Sequence, residues 1–397
     1  VNVSIIGTYN SKFGRLEDKT IYDLIIEAGQ GAIKDAGIEA ADIDAVYVGN
    51  FSSAGFCNQE HLAPVAIEVH KDLRFKPVTK VEAACASSSA AVYEGVYSIL
   101  AGRAKNVLVI GAEKMTALET KEMMKVLSMA SFWPEEGGKG KSFPGLFSEF
   151  ADGYMKHYGY TEEQMRKWLA MAGSKNYRNA LQNPLAHMPR KFTYQDILAL
   201  PPEKNPKIAG LLHLHDCSLV SDGAAALVLT TSDRAKTLKE KVVEFAGIGH
   251  TTDYLDLGKR ENYVLNAGKL AIKKALDEAK MTLADVNVAE VHDCFTITEI
   301  LIYEAMGLAP DGQGWKLLED EHSTVYPGGK LPVNLSGGLK AKGHPVGATG
   351  ASMHVLIARQ LMGEAIGIQA GNPSVGLTYN IGGSGASNLV SVLKRTK

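Results

Sequence analysis

The sequence predicts an α/β fold made of two copies of one strand–helix unit, with a largely helical segment inserted between them, and three observations carry that prediction. Residues 34–50 and 277–293 align without a gap as a helix end, a turn and an apolar strand, with the same Ala-Asp pair before the strand. Further on, residues 85–103 form a turn and helix leading to the strand 107–111, and residues 347–363 form a helix leading to the strand 375–380. Between the copies, residues 115–212 are rich in Met, Lys, Tyr and Pro and lack strand alternation.

Taken in order, Val1 to Gly7 reads as a short apolar strand, without a basic leader or a signal-peptide core. Strands alternating with helices of ten or more residues argue for α/β layers with mainly parallel pairing. Residues 115–212 read as a helical and loop subdomain, with 133–142 its most mobile part and a lid its expected use. The run Asp222 to Thr230 returns the chain to the first sheet. The expected division is 1–114 with 213–245 as the first half, 115–212 as the insertion and 246–397 as the second half.

Composition limits the function. Lys and Arg number 42 against 44 Asp and Glu, so a formal charge of -2 provides no whole-chain field to draw nucleic acid or anionic lipid. No apolar run approaches the roughly 20 residues that span a bilayer. Four cysteines (Cys57, Cys85, Cys217, Cys294) are too sparse for a disulfide scaffold. The expectation is a cytoplasmic, reduced protein that binds neither nucleic acid nor membrane.

Four segments carry chemistry. Cys85 sits among Ala and Ser where a strand turns into a helix; the helix N-terminus favours thiolate there, and a small buried core thiol is the alternative. His292, Asp293 and Cys294 end an apolar strand, either for acid–base work or as a buried His-Asp pair beside a structural Cys. His344 lies between Gly343 and Pro345 in the Gly-rich run 337–350, placed to take a proton from Cys85 or else solvated in a turn. Gly382 and Gly383 follow the last long strand, where backbone N–H groups can face a negative oxygen. Gly140-Lys141-Ser142 imitates the end of a phosphate loop but lacks its first glycine and its strand. His213, His215, Asp216 and Cys217 crowd one short run without a matching second cluster, so no metal site is expected.

In this order and over the full length, these motifs resemble the thiolase superfamily. Cys85 resembles its acyl-accepting nucleophile, Gly343-His344-Pro345 its GHP loop, and residues 217–226 a further hallmark. The fold this resemblance implies is five-layered αβαβα, two tandem halves with a loop domain over the site. His292-Asp293-Cys294-Phe295 replaces the familiar Asn-Glu-Ala-Phe, and Asn380-Ile381-Gly382 replaces Cys-x-Gly. That exchange is similar to the SCP2-type branch, which includes archaeal thiolases, and it moves the acid/base role from position 380 to Cys294.

The resemblance implies that His344 helps form the Cys85 thiolate and that the Gly382 and Cys85 N–H groups hold the tetrahedral oxyanion. It further implies that Cys294 moves the second proton, His292 and His344 hold the enolate, and Asn380 shapes the site. The implied reaction joins two acetyl-CoA into acetoacetyl-CoA and CoA, with coenzyme A thioesters as substrates and no tightly bound cofactor. The implied setting is the first step of the mevalonate route, in a homodimer or homotetramer, with HMG-CoA synthase and a small scaffold protein as partners. Degradation of longer 3-ketoacyl-CoA, or a silent acyl-CoA-binding protein, are the alternatives. Lys139, Lys141, Arg178 and Arg190 are available for CoA phosphates, and none is assigned.

Overall fold

Residues 3–397 are described by a computed structural model. Val1 and Asn2, where the first expected strand begins, lie outside the described residues. The first half contains β1 (Val3–Asn10), α1 (Ile21–Ala36), β2 (Ala45–Gly49), β3 (Val78–Val81), α2 (Ser87–Leu100) and β4 (Asn106–Glu113). The inserted segment follows with α3 (Thr120–Ser128), α4 (Phe143–Tyr158) and α5 (Glu162–Ala180), and β5 (Gly223–Thr231) rejoins the sheet. The second half contains β6 (Val243–Thr252), α6 (Asn266–Ala279), β7 (Val288–Val291), α7 (Thr296–Ala305), α8 (Thr349–Met362), β8 (Val375–Gly382) and β9 (Ser387–Arg395).

Local chemistry sets these boundaries. Helix α1 begins where Thr20 and Asp23 cap each other's backbone N–H groups, and it ends on Gly37 at φ 69°. Strands β4 and β8 are buried at every residue and read as unbroken runs, because helices cover both faces of the sheet.

Nine strands pair in the order β3-β2-β4-β5-β1-β6-β9-β8-β7. The two ends of this order mirror each other. Around β2, the pairs to β3 and β4 are parallel, and β4–β5 and β5–β1 are antiparallel. Around β7, the pair to β8 and a single bridge from Ala289 to Val333 are parallel, and β8–β9 and β9–β6 are antiparallel. The duplication therefore extends through four strands of each half, with the Val333 bridge standing where the first half has β3. The expectation of mainly parallel pairing is corrected: each half is half antiparallel, since β8 and β9 are joined by a tight turn, which permits only antiparallel pairing.

In the sheet, the halves pair at Ser4 with Glu244 and Ile5 with Val243 among the described residues. They then face each other across α2 and α8, which pack together into one apolar core with β1, β5, β6 and β9. Helix α1 covers the outer face of the first half, and α6 that of the second. This gives the layers α, β, α, β, α. Residues 133–142, expected to be the mobile part of a lid, contain buried Glu136, whose carboxylate accepts the N–H of Phe132 at 2.9 Å and of Leu257 at 2.8 Å. Among the described residues, no helix is long and apolar enough to cross a membrane.

Candidate active site

Helices α2 and α8 occupy equivalent places in the two copies, and the loops that lead into them carry Cys85 and His344. Their first turns touch through small residues: Ser88 Oγ accepts the Ala351 N–H at 2.8 Å, and a Cβ on Gly350 would lie 2.3 Å from Ser89 N. That close approach turns a repeat in sequence into a shared site. The third loop, after β7, brings His292 and Cys294, and the end of β8 with the turn that follows brings Asn380, Gly382 and Gly383.

Cys85 sits in the turn before α2, with Ala84 held at φ 51°, a conformation that costs an L-residue energy and lifts the thiol out of the strand line. Ser87 Oγ locks this turn, accepting the Ala83 N–H at 3.0 Å and donating to the Ala84 carbonyl at 2.6 Å. A helix N-terminus was expected to favour thiolate here. Burial wins instead: with the residue 7% exposed, the thiol is pushed up to about 12, with Glu113 and Glu82 adding to the shift.

The backbone N–H groups of Cys85 itself and of Gly383 work against that rise. Gly382, the expected oxyanion donor, is the last residue of β8 and pairs with Ser387, and the chain turns at Gly383, at φ 63°. Gly382 has a different necessity, since a Cβ there would lie 2.3 Å from the Ala83 carbonyl.

The sulfur of Cys85 and one ring nitrogen each of His292 and His344 lie within 4.8 Å of one another, all buried. The imidazoles cross almost at right angles, 5.1 Å apart. Their hydrogen bonds give them opposite roles. Thr349 Oγ donates to the Pro345 carbonyl at 3.0 Å, so it accepts from His344 Nδ1 at 2.7 Å; the proton is on Nδ1 and Nε2 is a bare base.

For His292 the logic runs the other way. The Cys85 carbonyl can only accept, so the group 3.2 Å from it is the Asn380 amide NH2, which also donates to His292 Nδ1 at 3.0 Å. Nδ1 is then the acceptor and the proton sits on Nε2, which is buried without a partner among the described residues. This N–H is a donor waiting for an oxygen. Three such groups have the chemistry to bind a soft metal ion, but a proton on His292 Nε2 opposes that use. Both imidazoles are held neutral: burial, then the Lys342 ammonium, push His344 down to about 3, and burial, then His344 and Lys342, push His292 well below its ordinary value.

Cys294 is 4% exposed and lines the same cavity as Cys85 and His344. Its thiol is pushed well up by burial and then by the neighbouring Cys85, while the Thr298 hydroxyl and Phe295 N–H work against the shift. The cavity measures about 90 Å³, with apolar walls from Met115, Met124, Leu127, Phe143 and Val346. Asp293 points away from it, accepting the Leu339 N–H at 2.6 Å and Asn176 Nδ2 at 2.7 Å, which ties the His292 loop to α5.

Sequence reasoning missed Glu113. This buried carboxylate ends β4 and accepts the N–H of Phe51 at 2.8 Å and of Gly347 at 3.0 Å and Asn50 Nδ2 at 2.8 Å. It thereby moors the His344 loop to the first half, and burial raises it to about 7 despite these donors. An acid closing an apolar strand was the available signal. The run 213–217 has other partners: Asp216 pairs with Arg166, and His215 bonds the Tyr177 hydroxyl at 2.7 Å. Of the four cations available to CoA, Lys139, Lys141 and Arg178 pair with Glu135, Glu149 and Glu321.

Residues 3–184 match the family model described as thiolase, N-terminal domain, and residues 249–395 the one described as thiolase C-terminal domain-like. The chain belongs to the thiolase family. Thiolases are acyltransferases, and this chain is one of them. It is 38% identical to an acetyl-CoA acetyltransferase of Methanothermobacter thermautotrophicus over 99% of this chain and 100% of that one. It is 30% identical to sterol carrier protein 2 of Bos taurus over 97% of this chain and 70% of that protein. The solved structure of the Ltp2-ChsH2(DUF35) aldolase superposes with a TM-score of 0.82 at 21% identity, covering 99% of this chain and 97% of that one, which is a likeness of fold.

Proposed function

We propose that this thiolase makes acetoacetyl-CoA from two acetyl-CoA through an acetyl group carried on Cys85. The observation behind the proposal is the pair of opposed tautomers beside one buried sulfur, a base at His344 Nε2 and an unpartnered donor at His292 Nε2. The acetyl-CoA acetyltransferase relative supports the choice of acyl group.

In the first half-reaction, the Cys85 proton passes to His344 Nε2 as the sulfur attacks the thioester carbon. The oxyanion is held by the Cys85 and Gly382 N–H groups, with that of Gly383 beside them, and its collapse expels the CoA thiolate. Cys294 protonates that thiolate and becomes the base. In the second half, Cys294 takes a proton from the methyl carbon of another acetyl-CoA, and the enolate oxygen lies against His292 Nε2–H and the now protonated His344. The carbanion attacks the acetyl group, and the released Cys85 sulfur recovers its proton from His344. Every proton is returned. Asn380 acts by fixing the His292 tautomer.

Coenzyme A is the substrate's handle in this scheme, with no tightly bound cofactor. We place the reaction at the head of the mevalonate route, in a homodimer or homotetramer partnered by HMG-CoA synthase and a small scaffold protein, since an unfavourable condensation gains from immediate consumption of its product. The sterol carrier protein 2 relative and the apolar cavity favour, as second reading, degradation of longer 3-ketoacyl-CoA. A chain-length series separates the two: turnover is expected to be highest with acetoacetyl-CoA and to fall with longer chains. Efficient thiolysis of long 3-ketoacyl-CoA would overturn the first reading.

A further inference from the structure

Lys342 lies two residues before His344, in a turn of π-helix (Gly338–Lys342), and is 1% exposed. Its ammonium donates to Ser352 Oγ on α8 at 3.0 Å and stands 5.3 Å from the Phe13 ring. Among the described residues, no carboxylate oxygen comes within 4.0 Å of it, whereas the buried Lys114 and Lys175 each hold one directly, at 2.8 and 2.7 Å. A buried cation left without a contact anion is costly, and its field reaches whatever is near.

The titratable groups facing it are Glu290 and His292 from β7, Asp293 just beyond, and His344 on its own loop. Glu290 is engaged with Ser336, accepting its Oγ at 2.7 Å, and Asp293 with the backbone of 339–340 and Asn176. Both carboxylates offset part of the Lys342 charge without touching it, and the same charge also bears on the pair of imidazoles.

We propose that Lys342 is a positioning residue, the fixed cation that keeps Cys85 and His344 as a neutral thiol–imidazole pair until a thioester arrives. A positive charge on the same loop as His344 opposes the imidazolium that a resting thiolate would require, and it bears on His344 without being among the charges that shift Cys85. The proton moves only when the developing oxyanion adds its own negative charge. The thiol is thus protected from alkylation and oxidation between turnovers, and His292 stays neutral and keeps its single Nε2 proton for the enolate. The role rests on the acyl-cysteine reading above, yet its consequence is measurable without any acyl-CoA.

The test is the rate of Cys85 alkylation by iodoacetamide at pH 7, followed by intact mass in the full chain. Lys342→Met is expected to alkylate faster than the native protein, by about tenfold for each pH unit of basicity that His344 regains. Lys342→Arg, which keeps the charge, is expected to stay at the native rate. Glu290→Gln removes the charge that most opposes burial at Lys342 and is expected to slow alkylation, a change of opposite sign that structural loosening does not produce. It also serves if Lys342→Met fails to fold. A native rate in Lys342→Met, a fast rate in Lys342→Arg, or an unchanged rate in Glu290→Gln overturns the proposal. Absence of condensation in a native protein that shows these alkylation shifts counts against the function and leaves the role of Lys342 standing.

Discussion

Asn380 reads in the sequence as a residue that shapes the site, and its hydrogen bonds say how. One amide NH2, oriented by the Cys85 carbonyl, gives His292 the tautomer opposite to that of His344. Removing one oxyanion donor of this kind costs about 100-fold in rate. His292→Ala is therefore expected to lose about that much condensation while Cys85 still acetylates in a single turnover, and Asn380→Ala to fall between it and the native protein. Equal loss of both half-reactions in His292→Ala would contradict the assigned donor. Cys85, His292, Cys294 and His344 were legible because each stands in a loop next to a recognisable strand. Glu113 and Lys342 were not, because their roles lie in contacts and fields across the fold: Glu113 meets Gly347, 234 residues away.

Helices α2 and α8 explain at the next scale why two distant loops share a site. Both are buried in their first turns, both are short of large side chains there, and each closes on the other through Ser88, Ser89, Gly350 and Ala351. Gly350 is the tightest point, with Ser89 N and Oγ each 2.3 Å from where a Cβ would sit. Gly350→Ala is expected to cost about 1–3 kcal/mol of stability in urea unfolding, as overpacking does. It is also expected to slow Cys85 acetylation, because the clash parts the Cys85 and His344 loops. Unchanged stability and rate would mean that the crossing does not set the site. The helices themselves were readable from period and length, as was their duplication. Strand direction was not: which neighbours run antiparallel depends on the short β8–β9 turn and on where β5 re-enters after a long insertion, and neither is written in the strands' own composition.

Over the whole molecule, a doubled unit folds so that equivalent loops face each other, and the copies divide the labour. The first half supplies the sulfur through the turn before α2; the second supplies both imidazoles and Cys294, and the inserted helix α5 braces the His292 loop through Asn176. The central claim is that Cys85 carries the acyl group while Cys294 moves the proton for carbon–carbon bond formation. Its most direct test is intact-mass spectrometry of Cys294→Ala mixed with acetyl-CoA, alongside an assay for acetoacetyl-CoA. The account predicts an acetyl mass that accumulates on Cys85 with condensation lost; an unmodified Cys85, or condensation at the native rate, would contradict it.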